Sequence, residues 1–268
     1  MQTERVAHAD AGARLMWLTS QRVFYAGLLG SVGLRTSGGW AIYVSPSGLP
    51  NRVRLGGGAW QGGELIVVPP LVPHCIESQE PLILNLVIEA ELVDPQALPP
   101  LLRQCGVVDD PDFVRRVRAV HAQLQAASGR KCFNGFDFDR LVFGQPLPER
   151  VLDPRIRAVV DRVNANPAEA VSAEQCAAAV NLSFSRFLHL FKAQTGVTFR
   201  AFRAWKRARS LLRYVRESSS LTDIALTAGY PDSTHFSHSI RQFYGLRPSD
   251  IVAGSRRLAL HHAGRVVL

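Results

Sequence analysis

The amino-acid sequence predicts an α+β protein of two domains, a β-rich N-terminal domain followed by an all-α C-terminal domain. Short apolar runs separated by glycine and proline extend from about Val23 to Glu91. Apolar residues at helical spacing dominate the second half, which also repeats itself internally. The chain has 268 residues, of which 47% are hydrophobic and 20% charged. This composition excludes a disordered chain and allows two hydrophobic cores.

The net charge of +9 lies entirely in the second half. Residues 1–150 contain 14 basic and 14 acidic side chains, whereas residues 151–268 contain 17 basic and 8 acidic ones. This asymmetry indicates a polyanionic partner for the second half, either nucleic acid or an anionic membrane. A basic surface that only improves solubility is the simpler alternative.

Targeting and membrane segments are not expected. The longest apolar run, Leu65–Val72, has about eight residues and is interrupted by prolines, whereas a membrane span needs about 20. The N-terminus contains acidic residues and lacks the apolar segment of a signal peptide. The cysteines have no metal-ligand spacing, so we expect reduced thiols in a cytoplasmic protein. They are Cys75, Cys105, Cys132 and Cys176.

The N-terminal half is predicted to form a sandwich or barrel of short strands. The clearest strands are Trp40–Ser45, 51–56, Glu64–Pro69 and Leu82–Glu89, and the sequences SPSGLPN, GGG and GG between them are typical of turns. A domain over 1–128 is therefore expected, with helices flanking the strands.

A helix is expected over 109–125, with an apolar stripe at four-three-four spacing. The stripe consists of Phe113, Val117, Val120 and Leu124. It either lies on the barrel or forms the seam of a homodimer. Residues 129–152 have little regular pattern and end in QPLPE, which predicts a linker. A second domain over 153–252 and a tail over 253–268 follow.

The second half contains two copies of one unit. The offset between the copies is 48 residues and becomes 49 after an insertion near Pro231. Matching pairs are Ser172/Ser220, Ala177/Ala225, Asn181/Gly229, Phe187/Phe236, His189/His238 and Gly196/Gly245. A repeat of this length indicates a duplicated supersecondary unit.

Each copy has the local chemistry of a helix-turn-helix. In the first copy, Ser172 and Gln175 are spaced as a capping box, and Asn181 tolerates the left-handed backbone of a tight turn. Ser183 is a good N-cap for the second helix, and Gly196 ends it. The second copy repeats this order with Ser220, Gly229, Asp232 and Gly245.

Two further helices are predicted, one before the first copy and one between the two copies. Asp153 and Pro154 begin a preceding helix, which buries Ile156, Val159, Val160 and Val163. Between the copies, 199–216 is predicted to be one helix of about 18 residues and roughly 27 Å. It is basic around an apolar stripe and contains no acidic residue. Its length could place two recognition helices in successive major grooves of DNA.

The stretches LFKxxTG and IAxxxGYxDxxxFSxxIRxxxGxxPxxI carry a family resemblance. They make residues 153–252 similar to the DNA-binding domain of the AraC/XylS family of bacterial transcription regulators. The resemblance implies two helix-turn-helix units on a linker helix, with double-stranded promoter DNA and RNA polymerase as partners. The sequence departs from the family at His189 and His238, where arginine or another long polar residue is usual.

The resemblance also implies the residues that contact DNA. The first recognition helix would present Ser185, Arg186, His189 and Lys192, and the second would present Ser233, Thr234, Ser237, His238 and Arg241. The linker helix would add Arg200, Arg203, Lys206 and Arg207. Arg186 can read guanine, whereas the linker-helix cations and Arg241 suit phosphates.

The N-terminal half is more weakly similar to the cupin-like sensor domain common in that family. The pattern Gly63-x5-Pro69-x-Leu71-x2-His74 is similar to the second cupin motif, but the stretch 45–63 has no histidine for the first. We therefore expect no metal and no cofactor, since one histidine does not make a metal site. Candidate residues for a small effector in the barrel are Trp40, Tyr43, Trp60 and His74.

These observations favour a sequence-specific transcription regulator over two alternatives. In the favoured class, a cupin-like β-barrel senses a small molecule or mediates dimerisation, and the chain is not an enzyme. The first alternative is a cupin-type metal-dependent enzyme fused to a DNA-binding domain. The missing histidines and the lack of any nucleophile–base pairing disfavour it. The second alternative is an architectural protein that binds DNA without an effector.

Overall fold

The computed structural model describes residues 14–27, 33–127, 136–213, 220–248 and 259–262. Its strands are β1 Leu15–Leu18, β2 Arg22–Gly27, β3 Trp40–Val44, β4 Asn51–Leu55, β5 Trp60–Gly63, β6 Leu65–Val68, β7 His74–Glu77, β8 Ile83–Ile88, β9 Gly106–Val108 and β10 Ala259–His262. Its helices are α1 Pro111–Ala126, α2 Phe138–Phe143, α3 Pro154–Ala165, α4 Ala173–Ala179, α5 Phe184–Thr195, α6 Phe199–Ser210, α7 Leu221–Thr227 and α8 Ser233–Tyr244. Cys132 and the last residues of the predicted DNA-binding domain lie outside the described residues.

The N-terminal strands form two sheets. The larger has the order β10-β1-β2-β8-β3-β6-β9 and the smaller the order β5-β4-β7. Every pairing is antiparallel except that of β1 with β10. Apolar side chains from both sheets, among them Tyr43, Val53, Ile66 and Ile76, pack between them. Within the described residues no strand pairing closes the sheets into a ring, so the expected cupin-like barrel is corrected to an open sandwich.

Helix α1 packs on the other face of the larger sheet. Asp110 caps it by accepting a hydrogen bond from the Phe113 N–H at 2.9 Å. Its stripe residues are at most 2% exposed and share one core with Phe24, Ile42 and Leu86 of the sheet. The dimer-seam interpretation of this stripe is therefore wrong, because the chain's own sheet covers it.

The described part of the segment expected as a linker, 136–152, packs in part against the N-terminal strands. Within it, α2 stacks Phe138 on Trp17, with ring centroids 5.1 Å apart, and Asp139 forms a two-pronged ion pair with Arg22. Leu147 is buried in the same core. Within the expected tail, β10 adds a parallel edge strand to the larger sheet.

The C-terminal domain has the two predicted helix-turn-helix units. Ser172, Ser183, Ser220 and Asp232 cap α4, α5, α7 and α8, and Gly196 and Gly245 end α5 and α8 with left-handed backbone. The core of the first unit consists of Phe187, Phe191, Phe199 and Phe202, packed at ring distances of 5.2–5.7 Å. The second unit buries Ile224, Tyr230, Phe236 and Ile240. The predicted local chemistry is confirmed.

The two turns have the expected left-handed backbone but unequal surroundings. Asn181 has a φ of 53° and is exposed. Gly229 has a φ of 76°, and a Cβ placed there would lie 2.3 Å from the Ala168 carbonyl oxygen. Gly229 is therefore required for its size as well as for its backbone, because the turn of the second unit packs against the loop between α3 and α4.

Exchanging the turn residues should give unequal effects. Gly229→Asn should lower the free energy of unfolding by about 1–3 kcal/mol, because the clash is with backbone that cannot rotate away. Asn181→Gly should change it by less than about 0.5 kcal/mol, since glycine adopts the same φ. Urea unfolding of both variants measures the difference, and equal losses would contradict the packing of Gly229 on Ala168.

Candidate DNA-binding site

The second helix of each unit presents a polar surface. On α5, the side chains of Ser185, Arg186, His189 and Lys192 are exposed. On α8, Ser233, Thr234, His238 and Arg241 are exposed and Ser237 is half-buried. The opposite faces carry the aromatic core residues Phe187 and Phe236. The structure thus brings the predicted residues of each recognition helix to one accessible face.

Local hydrogen bonds arrange the N-terminal turns of both helices. The Ser183 hydroxyl accepts from the Arg186 N–H, and His189 Nδ1 lies 2.8 Å from the Ser185 carbonyl oxygen. At α8, Asp232 accepts from the His235 and Thr234 N–H groups and contacts the His235 ring, and the bonds to His235 above all hold the pKa of its carboxyl below the ordinary value. Arg186 therefore starts from the end of a helix that enters the major groove in helix-turn-helix docking.

The linker helix exposes fewer cations than predicted. Arg200 is exposed, whereas Arg203 donates to the Glu169 carbonyl oxygen at 2.8 Å and is half-buried. Arg207 is half-buried with its guanidinium 5.5 Å from the Tyr230 ring centroid. Lys206 is 4% exposed and faces the N-terminal domain. The assignment of Lys206 to DNA is corrected, because a phosphate cannot reach its ammonium in this arrangement.

Lys206 belongs to a buried ion cluster that joins the two domains. Its Nζ lies 2.7 Å from Glu89 Oε2 and 2.5 Å from Glu91 Oε1. Arg209 donates to Glu89 Oε1 at 3.1 Å, and the Trp205 indole N–H donates to Glu89 Oε2 at 2.8 Å. We call these five residues the interdomain cluster. It attaches α6 to the end of β8.

The charges within the interdomain cluster shift its pKa values in opposite directions. Burial alone would raise the pKa of Glu89, but Lys206 and Arg209 outweigh burial and hold it below the ordinary value. Burial and the neighbouring Glu89 raise the pKa of Glu91, although Lys206 opposes them. The two carboxylates raise the pKa of Lys206 despite its burial. The ammonium and the Glu89 carboxylate are therefore the charged pair that joins the domains.

The positions of Lys206 and Arg209 in the sequence could have predicted that both lie on the buried side of α6. Lys206 follows Phe202 by four residues and Arg209 follows Trp205 by four. At about 100° per residue each lies only about 40° from an apolar stripe residue, on the buried side of the helix. Their partners Glu89 and Glu91 are more than a hundred residues away, and no local pattern predicts them.

The four candidate effector residues do not form one pocket. Trp40 lies in the core between α1 and the larger sheet, with its indole N–H donating to the Leu102 carbonyl at 3.0 Å. Trp60 is half-buried on the smaller sheet beside Arg52 and Arg54. Only Tyr43 and His74 meet, with Tyr43 Oη 2.8 Å from His74 Nε2.

His74 takes part in a buried hydrogen-bond chain. Its Nδ1 lies 2.9 Å from the Val72 carbonyl oxygen, which assigns the proton to Nδ1 and makes Nε2 the acceptor for the Tyr43 hydroxyl. Burial lowers the pKa of His74 to about 4, so the ring is neutral at pH 7. The Tyr43 hydroxyl in turn interacts with the guanidinium of Arg35.

Among the described residues, no three or more His, Cys, Asp or Glu side chains are grouped to hold a metal ion. In the same part of the chain, no helix is both long and apolar enough to cross a membrane.

Comparison with known proteins places the C-terminal region in a family. A helix-turn-helix domain family matches residues 176–253. The chain is 34% identical over 154 residues to the HTH-type transcriptional activator RhaS of Klebsiella pneumoniae, covering 53% of this chain and 55% of RhaS. It is 29% identical over 119 residues to the transcriptional activator RhrA of Rhizobium meliloti, covering 43% of this chain and 37% of RhrA. The chain thus spans about half the length of RhaS and less of RhrA.

The fold of nearly the whole chain is also found in a known structure. The crystal structure of ToxT from Vibrio cholerae matches with a TM-score of 0.56 and 10% identity, covering 88% of this chain and 98% of ToxT. At this identity the likeness concerns the fold, a β-rich N-terminal part followed by helix-turn-helix units. The C-terminal part of the chain, with its duplicated helix-turn-helix, therefore matches a helix-turn-helix domain family and is similar to named transcriptional activators, in agreement with its resemblance to the AraC/XylS family.

Proposed function

We propose that the chain is a sequence-specific transcription regulator that binds double-stranded operator DNA through α5 and α8. One observation carries the proposal. Two capped helix-turn-helix units each expose a row of polar side chains on their second helix, within the half of the chain that holds all the net charge. A polar helix face beside a basic surface suits reading in the major groove.

The proposed role of each DNA-contacting side chain follows from its position and its exposure on α5, α6 or α8. Arg186 is exposed near the N-terminus of α5 and is assigned to base reading. Lys192, Arg200 and Arg241 are exposed and are assigned to phosphates, which fix position without specifying sequence. Arg203 and Arg207 are partly engaged within the protein and would contribute less. Ser185, His189, Ser233, Thr234, Ser237 and His238 complete the proposed contact surface.

The N-terminal sandwich is proposed to respond to a small molecule and to act on the DNA-binding domain through α6. The interdomain cluster supports this coupling, since it fixes the linker helix of the DNA-binding domain to the end of a sandwich strand. The proposal includes RNA polymerase as a partner, a homodimer formed by a surface other than the α1 stripe, and a cytoplasmic location. The relatives named as transcriptional activators favour regulation over an enzymatic activity.

Two arginine variants test the proposed site. Arg186→Ala should cost about 1–3 kcal/mol on the best operator, selected from a random duplex pool, and little on scrambled DNA. Arg200→Ala should weaken both duplexes by a similar factor and lower the salt slope by about one. Titrations of full-length protein at several salt concentrations measure both. An equal loss on the two duplexes for Arg186→Ala would make it a phosphate anchor and overturn the assignment of base reading.

A further inference from the structure

His189 lies at the centre of the exposed face of α5. Ser185, Arg186 and Lys192 are exposed beside it. At about 100° per residue, each of them lies within about 60° of His189 around the helix axis, whereas the buried Phe187 lies about 160° away. In helix-turn-helix docking the second helix enters the major groove, so we expect His189 to point at base edges.

A backbone carbonyl one turn earlier fixes the imidazole of His189. Its Nδ1 lies 2.8 Å from the Ser185 carbonyl oxygen, and the Ser185 hydroxyl lies 3.4 Å from the same nitrogen. A carbonyl oxygen can only accept a hydrogen bond, so Nδ1 donates and carries the proton. The contact therefore sets both the orientation of the ring and its tautomer.

The second ring nitrogen of His189 is left with a lone pair. A neutral imidazole has one N–H group and one lone pair, so a proton on Nδ1 makes Nε2 an acceptor. Within the described residues, the hydrogen bonds of the His189 ring involve Nδ1 alone. Nε2 lies at the end of the ring distant from Cβ, on an exposed side chain. The middle of the α5 surface therefore presents a hydrogen-bond acceptor.

An acceptor narrows the base groups that His189 can bind. In the major groove the donors are the N6 amino group of adenine and the N4 amino group of cytosine. Guanine has the O6 carbonyl where adenine has its amino group, and thymine has the O4 carbonyl where cytosine has its own. Arginine, which is usual at this position in the AraC/XylS family, only donates and suits guanine. His189 thus has the opposite hydrogen-bonding preference.

We propose that His189 reads the exocyclic amino group of an adenine or a cytosine through Nε2, with its tautomer set by the Ser185 carbonyl. The proposal rests on the proposed regulator function and deepens it, because it names the base group that the centre of α5 recognises. Arg186 only donates and is assigned to guanine. The operator half-site bound by α5 would therefore hold a guanine for Arg186 and an adenine or cytosine for His189.

The second recognition helix supplies a matched comparison. In the repeat, His238 corresponds to His189 and Thr234 to Ser185, and both residues of α8 are exposed. In the part of the chain that the structure describes, the contact between Nδ1 and the preceding carbonyl is found for His189 and not for His238. A fixed acceptor is therefore specific to the first unit, and His238 serves as the control.

The tautomer is tested on the full chain without DNA. The ¹⁵N shifts of labelled histidine rings are recorded at about pH 8, where an ordinary imidazole is neutral. The His189 signals are identified by their absence in His189→Gln. Nδ1 should carry the proton and Nε2 should have the shift of an unprotonated ring nitrogen. A proton on Nε2, or an even mixture of the two tautomers, would overturn the proposal.

Operators selected from random duplexes by the full chain locate the base pair that His189 contacts. That pair is the one whose identity matters to the unmutated chain and not to His189→Ala. Exchanging adenine for guanine, or cytosine for thymine, at this pair should weaken binding about 5- to 100-fold, because two acceptors then face each other. His189→Arg should prefer the exchanged pair, and His238→Ala should keep the original preference. A selected operator with no pair that depends on His189 contradicts the assignment.

Base analogues identify the atom that is read. Purine in place of adenine, or 2-pyrimidinone in place of cytosine, lacks the amino group and should weaken binding about 3- to 10-fold more for the unmutated chain than for His189→Ala. A 7-deazapurine at the same pair lacks the N7 acceptor and should show no such difference. A loss that depends on His189 for the 7-deazapurine instead would make His189 a donor and overturn the proposal.

The same titrations separate this proposal from the proposed function. Operator binding that depends on Arg186, together with no effect of the amino group that depends on His189, overturns the role of His189 and leaves the DNA-binding proposal intact. A chain that selects no duplex at all overturns both.

Discussion

Lys206→Met should lower the free energy of unfolding of the full chain by about 3–5 kcal/mol and leave the salt slope of DNA binding unchanged. Removing one partner of a buried ion pair leaves the other charge without compensation. In this chain Glu91 would lose its ion-pair partner and Glu89 would keep only Arg209 and the Trp205 N–H, and both carboxylates are at most 1% exposed. Urea unfolding measures the first effect and titration of operator DNA at several salt concentrations the second.

The pH dependence of this variant has a definite sign. Without the ammonium, the pKa values of both buried carboxyls rise, Glu91 from an already raised value. A group whose pKa is higher in the folded state than in the unfolded state loses its stabilisation as the pH rises through the folded value. The deficit of Lys206→Met should therefore be larger at about pH 8 than at about pH 5.

Two controls distinguish the interdomain role from a phosphate contact. Arg200→Ala, on the exposed side of the same helix, should leave stability almost unchanged and lower the salt slope by about one. Replacing Glu89 and Glu91 by Gln in the Lys206→Met background should recover part of the lost stability. Both buried carboxylates are then neutral, and Arg209 is the one charged residue left in the interdomain cluster. A stable Lys206→Met protein with a reduced salt slope would restore the expectation drawn from the sequence.

Val117→Asp should unfold the N-terminal domain, at a cost of about 4 kcal/mol or more. Val117 is fully buried between α1 and the larger sheet, where a carboxyl group has no partner. Ala119→Asp, on the exposed face of the same helix, should cost less than about 1 kcal/mol. Circular dichroism and light scattering after gel filtration measure folding and oligomeric state together. A folded monomeric Val117→Asp protein would instead support the dimer seam.

The sequence alone determined those features that depend on residues close together in the chain. Ser183 caps α5 through a hydrogen bond three residues away, and Gly196 ends the same helix through its own backbone freedom. The duplicated unit, the buried faces of α5 and α8 and the family resemblance rest on such local patterns, and the four clearest strands were located within one residue at each end. The interactions that produce these features join residues only a few positions apart in the sequence.

Tertiary structure alone decided which partner each amphipathic helix and each charged side chain contacts. The α1 stripe could meet a sheet or a second chain, because its spacing is the same in both cases. Lys206 pairs with a carboxylate 117 residues away, and Arg35 lies against the end of α8 some two hundred residues later. A basic side chain has the same local sequence signal whether it points to DNA, to a buried carboxylate or to the end of another helix. Only the packing of the two domains fixes its partner, since that packing determines which charges lose their water together.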